Sequence, residues 1–398
     1  MNILIVWISQ FLNRNGGMEK VFVHFANEMV KRGHKVALAY CTENSGRSYF
    51  QLDSRVNAVN IANYLPNGKW ESHKNIFFKV KRECLRLFSK SHMLQYTDRS
   101  KMEYLAPGIK KLLGGVSPDI IISMDVMTTT AMKWVDVSNR YPLVTMSHFN
   151  AEQILKDITP LEKQMVIKSN ALQVLMPHDL KIFHADSCNV PLVHIPNIVP
   201  QYEVDFKSKG TQYKIVDVAR LSKKQKRQHL LIEAFAKIAH KYPKWKVELW
   251  GEEQGGVNYS KYLHSLIQKY HLENQVFLMG NTKKVIDVYK NADIFAFPSA
   301  FEGFGLAMTE AMSAGLPVIA YQSCPAVNEL IRNKKNGILV KDGIDAFALG
   351  LEWVITHKTE RLAMGKQAQQ DMKQYSAEKI WNQWELLMHD IVIRKGKV

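Results

Sequence analysis

Hydrophobic residues in this chain fall in short continuous runs separated by longer amphipathic stretches. The first run, NILIVWIS at residues 2–9, is too short to cross a bilayer and lacks the basic start of a secretory signal, so it predicts a buried strand. Residues 19–31 place Val21, Phe22, Phe25 and Met29 near helical spacing, and Gly33 stands where such a helix would close. Further strands are predicted at 35–40, 119–124, 143–147 and 171–175. Apolar strands alternating with helices predict a parallel sheet covered on both faces.

The segment PNIVPQYEVDFKSKGTQ interrupts this alternation with Pro196, Pro200 and Gly210 among polar residues, and marks a linker. The alternation then resumes, with strands at 213–218, 245–250, 276–279, 294–297 and 317–321 and helices at 229–241 and 306–314. From Ala377 onward, Ile380, Trp381, Trp384, Leu387 and Met388 form a last amphipathic helix that should pack back on the body of the protein. The expected fold class is therefore α/β, with two Rossmann-like, doubly wound parallel-sheet domains. Residues 1–198, joined by a returning helix at 376–398, would form one domain, and residues 199–375 the other. A length of 398 residues gives each half enough chain for its own core. In such sheets ligands sit outside the C-terminal ends of the strands, here in a cleft that both domains would face.

Composition sharpens the picture in two places. Four widely spaced cysteines with no CxxC pair argue against a structural zinc site or a disulfide framework, and suit a reducing cytoplasm. No stretch approaches 18 apolar residues, so no transmembrane helix is expected. The net charge is +16, which points to an anionic partner. Between residues 69 and 111, eleven Lys or Arg stand against four Asp or Glu, interleaved with Trp70, Ile76, Phe77, Phe78, Val80, Leu85, Leu87 and Phe88. That mixture suits a helix on an anionic membrane surface, and it equally suits a surface helix packing on its own domain.

The densest chemistry lies in FPSAFEGFGLAMTEAMSAGLPVIA. A strand ends at Pro298, a turn carries Gly303 and Gly305, and a helix begins near Leu306. Glycine allows close backbone approach, and a helix start offers unpaired N–H groups to a phosphate. Glu302 and Glu310 bracket the turn, on the order of 6–12 Å apart from the helical rise. A sugar and a ribose flanking a diphosphate span a similar distance. Each glutamate also has a plain structural reading, Glu302 as an acid near a helix start and Glu310 as a surface residue. The second cluster, VARLSKKQKRQHLLIEAF, places Arg220, Lys223, Lys224, Lys226 and Arg227 after a strand, where cations could hold a diphosphate without a metal. No acidic DxD-like triplet stands at a strand end, so no metal and no cofactor is expected.

Residues 297–320 resemble the E-x7-E region of the retaining glycosyltransferases of family 4, which have the GT-B fold. The RLSKKQK loop, ELWGEE, FLMGNT and HIPN resemble other parts of that family's pattern, clearly over 190–345 and more thinly before. The resemblance implies that Glu302 contacts the donor sugar and Glu310 the ribose. Backbone N–H groups of Phe304, Gly305 and Leu306 would meet the phosphates, and Arg220 and Lys226 would neutralise them. The loop carries one residue more than the family's usual spacing, so Lys224 competes with Lys226 for that role. The nucleobase would sit near Gly251 and Asn281. In the first half, NRNGGMEK resembles the family's glycine-rich loop, with Gly16 and Gly17 open to donor or acceptor, and His148 in TMSHFN resembles the family histidine at the sugar's reacting face.

The implied activity is transfer of a sugar, with retention, from a nucleotide diphosphate sugar to a saccharide or lipid-linked acceptor in surface polysaccharide, lipopolysaccharide or glycolipid assembly. UDP is favoured as the nucleotide. The expected location is cytoplasmic or peripheral on the inner membrane face. A nucleotide-sugar epimerase or phosphorylase of the same fold is one alternative, and a non-catalytic basic membrane-binding protein is another. No zinc-finger, RRM or helix-turn-helix pattern points to nucleic acid, and no G-x-G-x-x-G follows the first strand to suggest a dehydrogenase.

Overall fold

The computed structural model describes residues 1–43, 45–68, 76–186, 189–203, 212–253 and 258–396. Trp70, Cys188 and Gly210 lie outside the described residues. The chain divides into two compact units, Met1–Ile195 with Trp381–Val398, and Pro196–Ile380. The sequence reading placed these boundaries at 199 and 376.

The first unit runs β1 (Asn2–Trp7), α1 (Gly17–Lys31), β2 (Lys35–Tyr40), β3 (Asn57–Asn60), α2 (Ile76–Phe88), α3 (Lys90–Val116), β4 (Ile120–Ser123), α4 (Val126–Val135), β5 (Leu143–Met146), α5 (Ala151–Asp157), α6 (Pro160–Val166), β6 (Ala171–Val174), α7 (Pro177–Ala185) and β7 (Leu192–His194). Its strands form one sheet in the order β3-β2-β1-β4-β5-β6-β7, and every pairing is parallel. Strands β4, β5 and β6 are buried at every position, as the unbroken apolar runs require when helices cover both faces.

The second unit runs β8 (Tyr213–Val218), α8 (Gln228–Ala236), β9 (Trp245–Trp250), α9 (Tyr259–Lys269), β10 (Val276–Gly280), α10 (Val285–Lys290), β11 (Ile294–Phe297), α11 (Leu306–Ser313), β12 (Val318–Tyr321), α12 (Val327–Leu330), β13 (Gly337–Val340), α13 (Ile344–Thr356) and α14 (Lys358–Met372). Its parallel sheet has the order β10-β9-β8-β11-β12-β13. The linker's first residues are tied into this unit, because Val199 N–H donates to the Tyr375 carbonyl (2.9 Å) and Ser313 Oγ donates to the Pro200 carbonyl.

The last helix, α15 (Ala377–Gly396), is held by the first unit from Trp381 on. Trp381 and Trp384 pack edge-on against Phe25 of α1, with ring centroids 5.2 and 4.9 Å away. Glu385 accepts from Arg32 and stands 3.0 Å from His34 Nε2. Lys395 donates to the Arg140 carbonyl (2.6 Å).

In both sheets the chain leaves the first strand toward one side and later returns to the other. The neighbours β1 and β4, and β8 and β11, therefore bracket the topological switch points. Ligands of doubly wound sheets bind at such points, outside the C-terminal strand ends.

Candidate functional site

The loops after β8 and β11 meet at the switch point of the second unit and are laced together. Gln225 accepts the Ala300 N–H at its carbonyl (2.8 Å) and donates from its side chain to the Phe301 carbonyl (3.3 Å). Arg227, in the left-handed conformation at φ +54°, donates to the carbonyls of Pro298 and Ser299 (both 2.8 Å). Across this frame Lys226 Nζ lies 2.6 Å from Glu302 Oε1, with the side chains only 14% and 9% exposed. The same ammonium sits 5.1 Å from the Phe297 ring centroid. Lys224 is exposed. Geometry therefore singles out Lys226 from the lysines of this loop as the one brought against Glu302. Arg220 is exposed, and its Nη2 donates to the Gln225 side chain (2.9 Å).

Helix α11 begins at Gly305, whose φ of +75° is the left-handed region that glycine enters without strain. The first helical bond runs from Thr309 N–H to the Gly305 carbonyl (2.9 Å). The amides ahead of it have no partner within the helix, the arrangement by which a helix start suits an anion. Phe304 is buried and packs edge-on against Tyr375 (5.5 Å), which fixes the turn. Glu310 is buried one turn into the helix. This corrects the reading of Glu310 as a surface residue: its side of α11 faces the protein interior.

On the other flank β9 ends at Gly251, at φ +131°. A Cβ there would lie 2.1 Å from the Ala219 carbonyl oxygen, so only glycine allows the strand ends of β8 and β9 to approach this closely. Gly251 N–H donates to the Gly280 carbonyl (2.8 Å), and Asn281 Nδ2 donates to Glu252 Oε2 (2.6 Å). Arg220, Lys226, Gly251, Asn281, Glu302, Phe304, Gly305, Leu306 and Glu310 thus all come from the C-terminal edge of one sheet or the helix that follows it.

Sequence reasoning missed Asp217, the one carboxylate inside β8. It is buried, with Oδ2 lacking a hydrogen-bond partner. Burial pushes its pKa up to about 7, against the opposing pull of Lys226 and a bond from Gln228. The signal was present in YKIVDVAR, a lone acid among apolar strand residues. Held neutral below pH 7, it adds no negative charge beside the Lys226–Glu302 pair. The linkage has a definite sign. The folded state keeps a proton that the unfolded chain releases near pH 4, so the stabilisation is present below pH 4 and lost as pH rises through 7. Asp217→Asn should therefore shrink the fall in Tm between pH 5 and pH 8, read by thermal unfolding at both values. An undiminished fall would show that Asp217 is not its source.

In the first unit Gly16 is the N-cap of α1, in extended conformation. A Cβ there would lie 2.3 Å from Glu19 Oε2, so the space that the missing side chain leaves is used by Glu19 itself. Gly17 opens the helix. His148 stands in the turn between β5 and α5. Its Nε2 is sealed from solvent without a partner, and burial lowers the ring's pKa to about 4, so it is neutral at pH 7. Since β1 and β5 are parallel members of one sheet, Gly16, Gly17 and His148 lie on its C-terminal edge.

A doubly wound parallel domain with a helix start, a buried Lys–Glu pair and a glycine-gated strand end at its switch point defines a Rossmann-like protein. The family model described as glycosyl transferases group 1 matches residues 200–371. Most of the second unit is thus similar to the group 1 glycosyl transferases, and the chain is a glycosyltransferase. An uncharacterized glycosyltransferase of Haemophilus influenzae is 23% identical over 382 residues, which is 93% of this chain and 95% of the relative. The amylovoran biosynthesis glycosyltransferase AmsD of Erwinia amylovora is 22% identical over 391 residues, covering 95% of this chain and 97% of the relative. The crystal structure of Anabaena HepE in complex with UDP and glucose superposes with a TM-score of 0.72 at 19% identity, covering 98% of this chain and 99% of that one. The fold is that of the GT-B transferases, with two Rossmann-like units.

Proposed function

We propose that the chain transfers a sugar from a UDP-sugar to a saccharide or lipid-linked acceptor in surface polysaccharide or lipopolysaccharide assembly, with retention of anomeric configuration. The observation that carries this reading is the Lys226–Glu302 pair beside the unpaired amides at the start of α11. An ammonium and a helix start can hold a departing diphosphate without a metal. Two similar proteins agree with it: HepE was solved with UDP and glucose, and AmsD serves amylovoran biosynthesis.

In this reading Lys226, Arg220 and the N–H groups of Phe304, Gly305 and Leu306 stabilise the leaving diphosphate. Glu302 accepts from a sugar hydroxyl, Glu310 from the ribose, and the Gly251–Asn281 edge borders the base. The acceptor oxygen bonds to the anomeric carbon on the face from which the diphosphate oxygen departs, and its proton passes to the leaving phosphate. No protein nucleophile is required, unlike the two-carboxylate geometry of retaining glycosidases. His148, Gly16 and Gly17 are the candidates that the first unit contributes. His148→Ala should lower kcat while nucleotide affinity is kept.

The test is turnover of a UDP-sugar with and without an oligosaccharide acceptor, with the product linkage read by NMR. UDP release that depends on acceptor and yields the donor's anomeric configuration supports the reading. An inverted product would remove the retaining mechanism, and acceptor-independent conversion of the sugar would favour an epimerase.

A further inference from the structure

Helix α2 turns an apolar face to solvent. Ile76, Phe77, Val80, Leu87 and Phe88 are 73, 81, 61, 86 and 88% exposed, and Cys84 is exposed among them. At 3.6 residues per turn these six positions fall within about one third of the helix circumference. The opposite face holds α2 in place: Phe78 is buried and stacks on Tyr96 of α3, with centroids 5.4 Å apart at 22°. The helix is thus apolar on two sides, and only one of them is used by the fold.

Its borders are basic. Lys81 lies at one edge, 4.7 Å over the Tyr96 ring, and Lys79 and Arg86 lie toward the other. The single acid of the helix, Glu83, is engaged by Arg82 (2.9 Å) and Arg86 (3.4 Å), which leaves the two lysines as exposed positive charge.

We propose that α2 docks the protein on an anionic lipid surface, with Phe77, Val80, Leu87 and Phe88 entering the headgroup–acyl boundary and Lys79 and Lys81 meeting the headgroups. An interfacial helix is recognised by this combination of a wide apolar face and basic borders. A convex single-helix face offers a rigid protein only a strip of contact, whereas a fluid bilayer conforms to it. Two copies meeting through this face would bring like-charged borders together. The docking element is α2 alone rather than the whole of 69–111: in α3, Met102, Leu105, Ile109 and Leu112 are spent on the unit's core. This proposal stands independently of the donor chemistry.

The experiment is co-sedimentation of the full chain with vesicles of phosphatidylcholine, alone or with one third phosphatidylglycerol. Cys84 of a Cys188→Ser background carries an environment-sensitive fluorophore in a parallel titration, since Cys41 and Cys324 are buried. Binding to the anionic vesicles with a blue shift at Cys84 is expected. Phe77→Glu/Phe88→Glu should weaken it more than tenfold, and Lys79→Glu/Lys81→Glu should weaken it on anionic vesicles by about tenfold. Both variants change exposed side chains, so unchanged thermal unfolding shows that they fold. Failure to bind anionic vesicles at low salt, or binding indifferent to Phe77→Glu/Phe88→Glu, overturns the proposal. A concentration-dependent dimer dissolved by Phe77→Glu/Phe88→Glu, with no vesicle binding, would assign the face to a second copy instead.

Discussion

Glu302→Ala is expected to lower kcat/KM for donor turnover by about 10²–10³-fold, the range seen when one pre-organised transition-state contact is deleted. Two effects combine. In the proposed function the sugar loses an acceptor close to the reacting bond, and Lys226, 2.6 Å from that carboxylate and mostly buried, loses its partner. Removing one member of a buried ion pair costs roughly 3–5 kcal/mol, because a desolvated charge is left uncompensated. The variant should therefore unfold at lower temperature as well as turn over slowly. Lys226→Ala should show the same pair of losses. The double variant should be less destabilised than the two singles together, since it leaves neither charge alone. Glu302→Gln keeps an oxygen that accepts from Lys226 but leaves the ammonium uncompensated, so it should recover only part of the lost stability, and its turnover reports whether the shape or the charge of residue 302 acts on the sugar. A folded Glu302→Ala protein with unchanged kcat/KM at saturating acceptor would remove Glu302 from the chemistry.

The second large effect is expected at Gly251. Replacement by alanine sets a Cβ 2.1 Å from the Ala219 carbonyl oxygen and holds a non-glycine residue at φ +131°. The backbone strain alone is of order 1–3 kcal/mol. Relief requires the strand ends of β8 and β9 to part, which moves Arg220 at one end and the Glu252–Asn281 contact at the other. Gly251→Ala should therefore lower Tm and weaken nucleotide binding together. Gly33→Ala supplies the contrast. That glycine also has positive φ, but a Cβ there meets nothing within 4 Å, so it should cost stability and leave nucleotide affinity unchanged. Equal nucleotide affinity in Gly251→Ala and the parent chain would show that this strand end does not border the ligand.

Most of the strand framework was legible in the sequence because parallel strands buried on both faces leave unbroken apolar runs. Strands β8, β9 and β11 fall where the runs predict them. The short strands β3 and β7 escaped notice: NAVN is half polar, and LVH spans three residues. The basic segment after residue 69 gave a correct sense of amphipathic helix but not its division. The break at Ser89, whose hydroxyl accepts from the His92 N–H to start α3, separates a helix with an exposed apolar face from one that fills the core.

In the site, the glycines and glutamates were legible because they stand at fixed offsets around one turn. Which lysine meets Glu302 was not, because an added loop residue shifts the spacing and only the folded turn, with Lys226 and Arg227 N–H both reaching the Ser222 carbonyl, settles it. Asp217 and the buried state of Glu310 were hidden for a related reason. A charged letter in a sequence reads as exposed until the fold shows what covers it.

The most direct test of the central claim, that the loops after β8 and β11 form a nucleotide diphosphate site, is calorimetric titration of UDP, GDP and ADP into the full chain and into Arg220→Ala and Glu310→Ala. The account predicts that UDP binds the parent chain most tightly and that each variant weakens it at least tenfold, the scale of one charge-assisted hydrogen bond. Binding of no nucleotide, or of UDP by both variants as tightly as by the parent chain, would contradict it.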